Sequence, residues 1–167
     1  MSDVRIRRAE QGDLPTLLEI YNHYVRTTPI TFDIEPRTLT QRSQWFSQFK
    51  PSGPHQCFVA VKDGMPIGWA CSDRFKAKAA YDTSVSTSIY LAPGETGHGL
   101  GRKLYETLFA ALAREDVHRA YAGITQPNDA SNGIHRAFGF KLIGTQHEVG
   151  RKFGRYWDVA QYEKPLK

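Results

Sequence analysis

Cysteine is scarce in this 167-residue chain: Cys57 and Cys71 are the two present, each inside an apolar, strand-like stretch. Thiols so placed read as buried and reduced rather than as a disulfide framework, and they point to neither a metal site nor a nucleophile. His23, His55, His98, His118 and His147 show no ligand spacing either, so no metal is expected. No run approaches the roughly 20 uninterrupted apolar residues that span a bilayer, and residues 1–8 lack the apolar core and cleavage pattern of a secretion signal. The expected location is therefore the cytoplasm, with no membrane partner. Repeats, low-complexity tracts and linkers are missing too. Pro51, Gly53 and Pro54 punctuate the chain between a helical and a strand-like half, and residues 1–167 are expected to form one domain.

A long run of one charge is also absent. The formal charge is +5, but the basic residues fall in short clusters: Arg5, Arg7 and Arg8, then Lys76 and Lys78, then Arg151, Lys152 and Arg155. Such clusters suit a solvated surface or the rim of a phosphorylated small molecule better than a nucleic-acid track, so nucleic acid is not the expected partner.

What is present reads as alternating elements. Val4 and Ile6 alternate with charged residues as a first strand; Asp13 and Pro15 then open a helix whose Leu14, Leu17, Leu18, Tyr21 and Tyr24 share a face. A second helix is expected near residues 40–49. Residues 57–61, the turn pair Asp63 and Gly64, and residues 67–72 read as a hairpin, followed by a strand over 83–91. Leu100, Leu104, Leu108, Phe109 and Leu112 recur at helical spacing directly behind that strand. A strand over 121–125, a short helix over 129–138 and closing strands over 140–148 and 156–162 complete a mixed α/β sheet.

Where the strand over 83–91 gives way to its helix stands Gly97-His98-Gly99-Leu100-Gly101-Arg102. Glycines there let successive backbone N–H groups point outward at the positive end of the helix, an arrangement that holds phosphate or pyrophosphate. Arg102 occupies the place where a Rossmann fingerprint needs glycine, and the Lys-Ser/Thr pair of a Walker loop is missing.

The glycine turn resembles the central motif of the GNAT acetyltransferases, Arg/Gln-x-x-Gly-x-Gly/Ala after a strand, with Thr96 in its first position. Further segments resemble the phosphinothricin and methionine sulfoximine acetyltransferase branch: residues 20–24, Thr31 with Phe32, Pro127-Asn128-Asp129, and residues 150–155. The resemblance implies a GNAT fold, an α/β sheet splayed at its cofactor-binding strand and flanked by about four helices. It also implies acetyl-CoA as co-substrate, a small amine acceptor and a homodimer. By the same resemblance Ile89, Tyr90 and Leu91 offer strand backbone to the pantetheine arm, as peptides add to a sheet edge, and Gly97, His98, Gly99, Leu100, Gly101 and Arg102 hold the pyrophosphate. Asn128 matches a CoA-contacting asparagine. His135 falls near the thioester sulfur, as an acid for the departing thiol or as a packing and positioning group.

For the acceptor the resemblance points to Phe32, Lys78, Ala79, Ala80 and Tyr81, and to Ser86, which stands where the branch carries a glutamate that binds the acceptor or takes its proton. An amine attacks a thioester only when neutral, and a serine hydroxyl is no base near pH 7. Proton removal then passes to a water chain, to another carboxylate, or to bulk solvent before binding. The leading expectation is transfer of acetyl from acetyl-CoA to a small amino-acid-like primary amine. Two other readings stand beside it: an acyl-CoA-binding or regulatory module with little catalysis, and an acetyltransferase acting on peptide or protein amines.

Overall fold

The computed structural model describes residues 3–167. Met1 and Ser2, the start of the segment inspected for a secretion signal, lie outside the described residues. In chain order the elements are β1 (Val4–Arg8), α1 (Leu14–Thr27), α2 (Leu39–Phe46), β2 (Cys57–Lys62), β3 (Met65–Arg74), β4 (Ser84–Leu91), α3 (Leu100–Leu112), β5 (Arg119–Thr125), α4 (Asp129–Ala137), β6 (Lys141–Lys152) and β7 (Arg155–Pro165). The strands form one mixed sheet in the order β1-β2-β3-β4-β5-β7-β6.

Strand alternation sends two sets of side chains to opposite faces, and each face takes its own helices. Phe58, Ala60, Ala70, Val85, Ala120 and Ala122 pack beneath α3, whose Leu104, Tyr105, Leu108 and Leu112 are fully buried. Cys57, Val59, Trp69 and Cys71 point the other way, against Leu17 and Ile20 of α1. Asp13 anchors the start of α1 to β1: its carboxylate accepts two bonds from the Arg7 guanidinium, at 2.8 and 2.9 Å, and one from the Glu10 amide at 2.8 Å. Burial by itself pushes this carboxyl up, but those bonds outweigh it and hold it below its ordinary value. The sign follows directly: the stabilisation is present above the usual carboxylate range and is lost as pH falls through the depressed value. Asp13→Asn is expected to cost about 1–3 kcal/mol at pH 7. In urea melts at successively lower pH that difference should shrink as the native carboxylate protonates.

Several boundaries differ from the sequence expectation: β3 runs to Arg74 rather than residue 72, β5 begins at Arg119 and β7 ends at Pro165. Helix α2 ends at Phe46, and Phe49 continues its aromatic face from a tight turn in which the Phe49 amide donates to the Phe46 carbonyl at 3.1 Å. Strand β6 runs to Lys152 rather than stopping at residue 148. Nearly every β6 side chain is exposed, so no apolar alternation marks it. Pairing with β7 extends it across irregularities at residues 142–144 and 146–150.

The β6–β7 hairpin fastens the segment after α1. Glycine at position 150 lets the hairpin close on the Phe32 ring, which a Cβ there would push aside. The Lys152 ammonium donates to the Thr31 carbonyl at 2.8 Å, and Asn22 of α1 bonds both the amide and the carbonyl of Arg37. Residues 31–37 are thereby fixed over the open end of the α1 face.

Candidate active site

The sheet parts at its centre. Strands β4 and β5 are parallel and pair only over Ser84–Ser86 with Arg119–Tyr121; beyond these they diverge. From Thr87 onward the β5-facing edge of β4 is left unpaired, a row of N–H and C=O groups facing a gap. That gap is lined by Thr87, Ser88, Ile89 and Tyr90 on one side and by residues 122–125 on the other, with Asn128, Ser131 and His135 of the α4 segment at its wall.

At the mouth of the gap the glycine turn closes a cavity of about 360 Å³. Gly97 and Gly99 have φ of 80° and 75°, the left-handed region open to glycine at little cost, and Gly99 caps α3. Asn128 caps α4, its side-chain oxygen accepting from the Ser131 amide at 3.1 Å. The positive ends of two helices therefore border one cavity, a setting suited to pyrophosphate. Ile89, Tyr90, Leu91, Gly97, Gly99, Leu100, Gly101, Arg102 and Asn128 all line it, so nine of the ten residues expected from sequence to hold the cofactor converge. His98 is exposed and does not line it, and the Arg102 guanidinium pairs with Glu106 at 3.0 Å in solvent. Backbone amides, an open strand edge and a glycine-lined cradle fit a phosphopantetheine-bearing nucleotide.

His135 is buried in the wall of the gap. Its Nδ1 donates to the Ser131 carbonyl at 2.7 Å, which leaves Nε2 to accept from the Tyr105 hydroxyl at 2.9 Å; this tautomer is assigned from the bonding partners. Burial lowers its pKa, so the ring is neutral at pH 7. The Tyr105 hydroxyl also lines the gap, on a residue sequence reasoning passed over because it sits at a core position of α3. His135→Phe is expected to lower turnover by at most about a hundredfold with acetyl-CoA binding unchanged, since a departing thiolate needs little acid assistance. Thiol release measured beside an acetyl-CoA titration checks this, and total inactivity with intact binding would contradict it.

Across strand β4, on the α1–α2 face, lies a second cavity of about 360 Å³, lined by Tyr21, Asp33, Arg37, Arg42, Trp45, Trp69, Cys71, Asp73, Ser88 and Tyr90 among others. Ser88 and Tyr90 line both this cavity and the gap. Arg42 is 6 % exposed and lies against the rings of Trp45, Tyr21 and Trp69, at 3.4, 4.6 and 5.1 Å. Its Nε and Nη2 are buried without a hydrogen-bond partner. Asp33, by contrast, is fully engaged by the Tyr21 hydroxyl and the Arg37 guanidinium.

None of the acceptor residues expected from sequence lines this cavity. Ser86 is half-buried on β4, on the same face as the cavity but not in its lining. Phe32 lies on Gly150, while Lys78, Ala79, Ala80 and Tyr81 are exposed on a short turn in which Tyr81 packs on Phe75. Arg42, Trp45 and Asp73 were missed: two of them sit on a weakly amphipathic helix, and Asp73 lies one residue beyond the strand expected from sequence. Both cysteines are free thiols, and no group of three or more His, Cys, Asp or Glu is placed to hold a metal among the described residues.

A strand whose free edge faces a gap, a glycine cradle at the helix behind it and a second cavity across it define an acetyltransferase site. Residues 6–160 match the family described as Acetyltransferase (GNAT) domain, and the chain belongs to that family. It is 53 % identical over 167 residues to a phosphinothricin N-acetyltransferase of Streptomyces coelicolor, covering 99 % of this chain and 98 % of the relative. An L-methionine sulfoximine/L-methionine sulfone acetyltransferase of Pseudomonas aeruginosa is 32 % identical over 155 residues, covering 93 % and 90 %. Among solved structures, a GNAT superfamily phosphinothricin acetyltransferase from Sinorhizobium meliloti, in complex with AcCoA, superposes with a TM-score of 0.92 at 30 % identity, covering 98 % of this chain and 88 % of that one.

Proposed function

We propose that the protein transfers the acetyl group of acetyl-CoA to the primary amine of a small amino-acid-like acceptor by direct attack, with phosphinothricin and methionine sulfoximine as the type acceptors. One observation carries this reading: the β4–β5 gap and the cavity on the α1–α2 face share Ser88 and Tyr90. A thioester reaching the gap from the glycine cradle and an amine held on the other face then meet at one strand, with no covalent enzyme intermediate needed. A module that only held acyl-CoA would have no use for the second cavity.

The unpartnered guanidinium of Arg42 supports an anionic acceptor, since a carboxylate or phosphinate supplies the oxygens its two buried N–H groups lack. In this reading Ile89, Tyr90 and Leu91 run along the pantetheine arm, residues 97–102 and Asn128 hold the pyrophosphate end, and Tyr105 with His135 faces the departing sulfur. Ser86 borders the amine. Phe32, Lys78, Ala79, Ala80 and Tyr81 form its outer approach. The protein acts in the cytoplasm, where Cys57 and Cys71 stay reduced. It works as a homodimer, for which exposed Leu142, Ile143, Val149, Phe153 and Tyr156 on the β6–β7 hairpin offer an apolar face. Thiol release from acetyl-CoA over phosphinothricin, methionine sulfoximine, methionine sulfone and short peptides tests the activity. Release confined to peptides would overturn the acceptor class, and light scattering reads the assembly.

A further inference from the structure

The acceptor cavity contains two carboxylates, and their surroundings differ. Asp33 is occupied by Tyr21 and Arg37 and lies below its ordinary pKa, chiefly through the Arg37 bond. Asp73 makes no salt bridge among the described residues. It sits directly opposite Ser86 in the antiparallel β3–β4 pair, one step along the same face from the Cys71 and Ser88 pair. Opposed residues in such a pair put their Cβ atoms about 4.5–5.5 Å apart on one face of the sheet. Whatever Ser86 borders, Asp73 therefore borders too, and it lines the acceptor cavity where Ser86 does not.

We propose that Asp73 is the general base of the acetyl transfer, a carboxylate held on β3 that serves the amine position beside Ser86 on β4. This rests on the acetyltransferase reading of the site. In the step, the acceptor enters as an ammonium and one N–H proton passes to the Asp73 carboxylate. The freed lone pair forms the C–N bond to the thioester carbonyl carbon, the C–S bond breaks with its electron pair leaving on sulfur, and the second N–H proton, made acidic by the new bond, passes through water to the departing thiolate, leaving the amide and the thiol. Asp73 returns its proton to solvent, and the atoms balance without a further reactant.

The environment suits this role. Burial pushes the Asp73 carboxyl up to about 6, with the Trp45 indole and the Arg42 charge opposing the shift. Against an α-ammonium of ordinary pKa near 8, proton transfer to such a group is uphill by about a hundredfold, instead of about ten-thousandfold for an ordinary aspartate. Groups facing Asp73 come from α1 (Tyr21), the segment after it (Asp33 and Arg37), α2 (Arg42), its own strand (Cys71) and β4 (Tyr90). Tyr21 is pushed up to about 12, and burial raises Tyr90 and Cys71 as well; Asp33 is held low, and Arg42, though lowered by burial, keeps the charge arginine carries in proteins. In this cavity Asp73 alone changes charge between pH 5 and 8. Below about 6 it is protonated and takes no proton, so kcat/KM should fall on the acid side.

The test is the pH profile of kcat/KM for the acceptor, with acetyl-CoA saturating, for the unmodified protein, Asp73→Asn, His135→Phe and Asp73→Asn/Ser86→Glu. Asp73→Asn is expected to lose about a hundredfold or more near pH 7 together with the acidic limb, while the Kd for acetyl-CoA is unchanged. His135→Phe should keep the limb, which separates Asp73 from the imidazole in the wall of the gap. Adding Ser86→Glu to Asp73→Asn should restore both rate and limb by returning a carboxylate to the same face, and this rescue answers the objection that Asp73→Asn merely damages the fold. Asp73→Asn within threefold of the unmodified protein, or with its acidic limb intact, would overturn the proposal. Thiol release by the unmodified protein on none of the amines would overturn the acetyltransferase reading itself, and the role of Asp73 with it.

Discussion

Gly101→Val raises the Kd for acetyl-CoA by about tenfold to a hundredfold while the KM for the acceptor stays within threefold. A Cβ built at position 101 lies 3.1 Å from Ile134 of α4 and 3.2 Å from Ile89 of β4, so glycine is what lets α3, α4 and the open strand close around one cradle. Overpacking at such a contact costs about 1–3 kcal/mol, and relief comes most cheaply by moving α3 away from β4, which widens the cradle and misaims its N–H groups. Alanine asks the two isoleucines to give only a few tenths of an ångström and should show a far smaller effect. Gly99 offers a second route to the same outcome. Nothing lies within 4 Å of a Cβ there, but its φ of +75° strains any β-branched residue by about 1–2 kcal/mol, so Gly99→Val disturbs the cap without crowding a neighbour. Titration with acetyl-CoA beside steady-state kinetics on the acceptor reads both variants. Equal losses for the two substrates would mean that the turn serves the whole fold rather than the cofactor.

The cavity proposed for the cofactor was legible in the sequence because a glycine turn and a strand edge make much of its lining. A glycine turn between an apolar strand and a leucine-spaced helix leaves little choice about where N–H groups point, and nine expected residues line one cavity. The acceptor half was illegible for a geometric reason. Asp73 acquires its place only through the register that sets it opposite Ser86, and β3 had to extend to Arg74 for that pairing to exist. Arg42 lies on a short helix with little amphipathic pattern, where an arginine ordinarily faces solvent; three aromatic rings from three different elements make it a buried cation. Lys78 and Tyr81, which a local match in sequence put at the acceptor, lie exposed on a turn outside the cavity lining. The length of β6 was hidden because an exposed strand carries no hydrophobic alternation, although its pairing with β7 fixes Thr31 and Phe32.

Arg42→Met is expected to lower kcat/KM for amino-acid-like acceptors by about a hundredfold without lowering the melting temperature. A charge-assisted bond to a carboxylate or phosphinate is worth about 1.5–3 kcal/mol, and loss of both contacts at the low end of that range, about 3 kcal/mol, accounts for that factor. Methionine keeps the length of the stem against Trp45, Tyr21 and Trp69, so the packing volume is largely retained. Stability distinguishes a binding group from a structural one. A guanidinium in a structural ion pair leaves an uncompensated partner when removed, at about 3–5 kcal/mol. Arg42 has no such partner: burial already depresses its pKa, and two of its nitrogens are unsatisfied in the protein alone. Its removal therefore relieves a desolvation cost that offsets the lost attraction to the rings, about 2 kcal/mol for a desolvated cation over an aromatic face. The Asp73 carboxyl would also lose the charge that holds its pKa down, so the acidic limb of the remaining activity should move to higher pH. A variant that melts several degrees lower and retains its affinity for the acceptor would make Arg42 a structural cation, and the anion-binding role would have to move to Arg37.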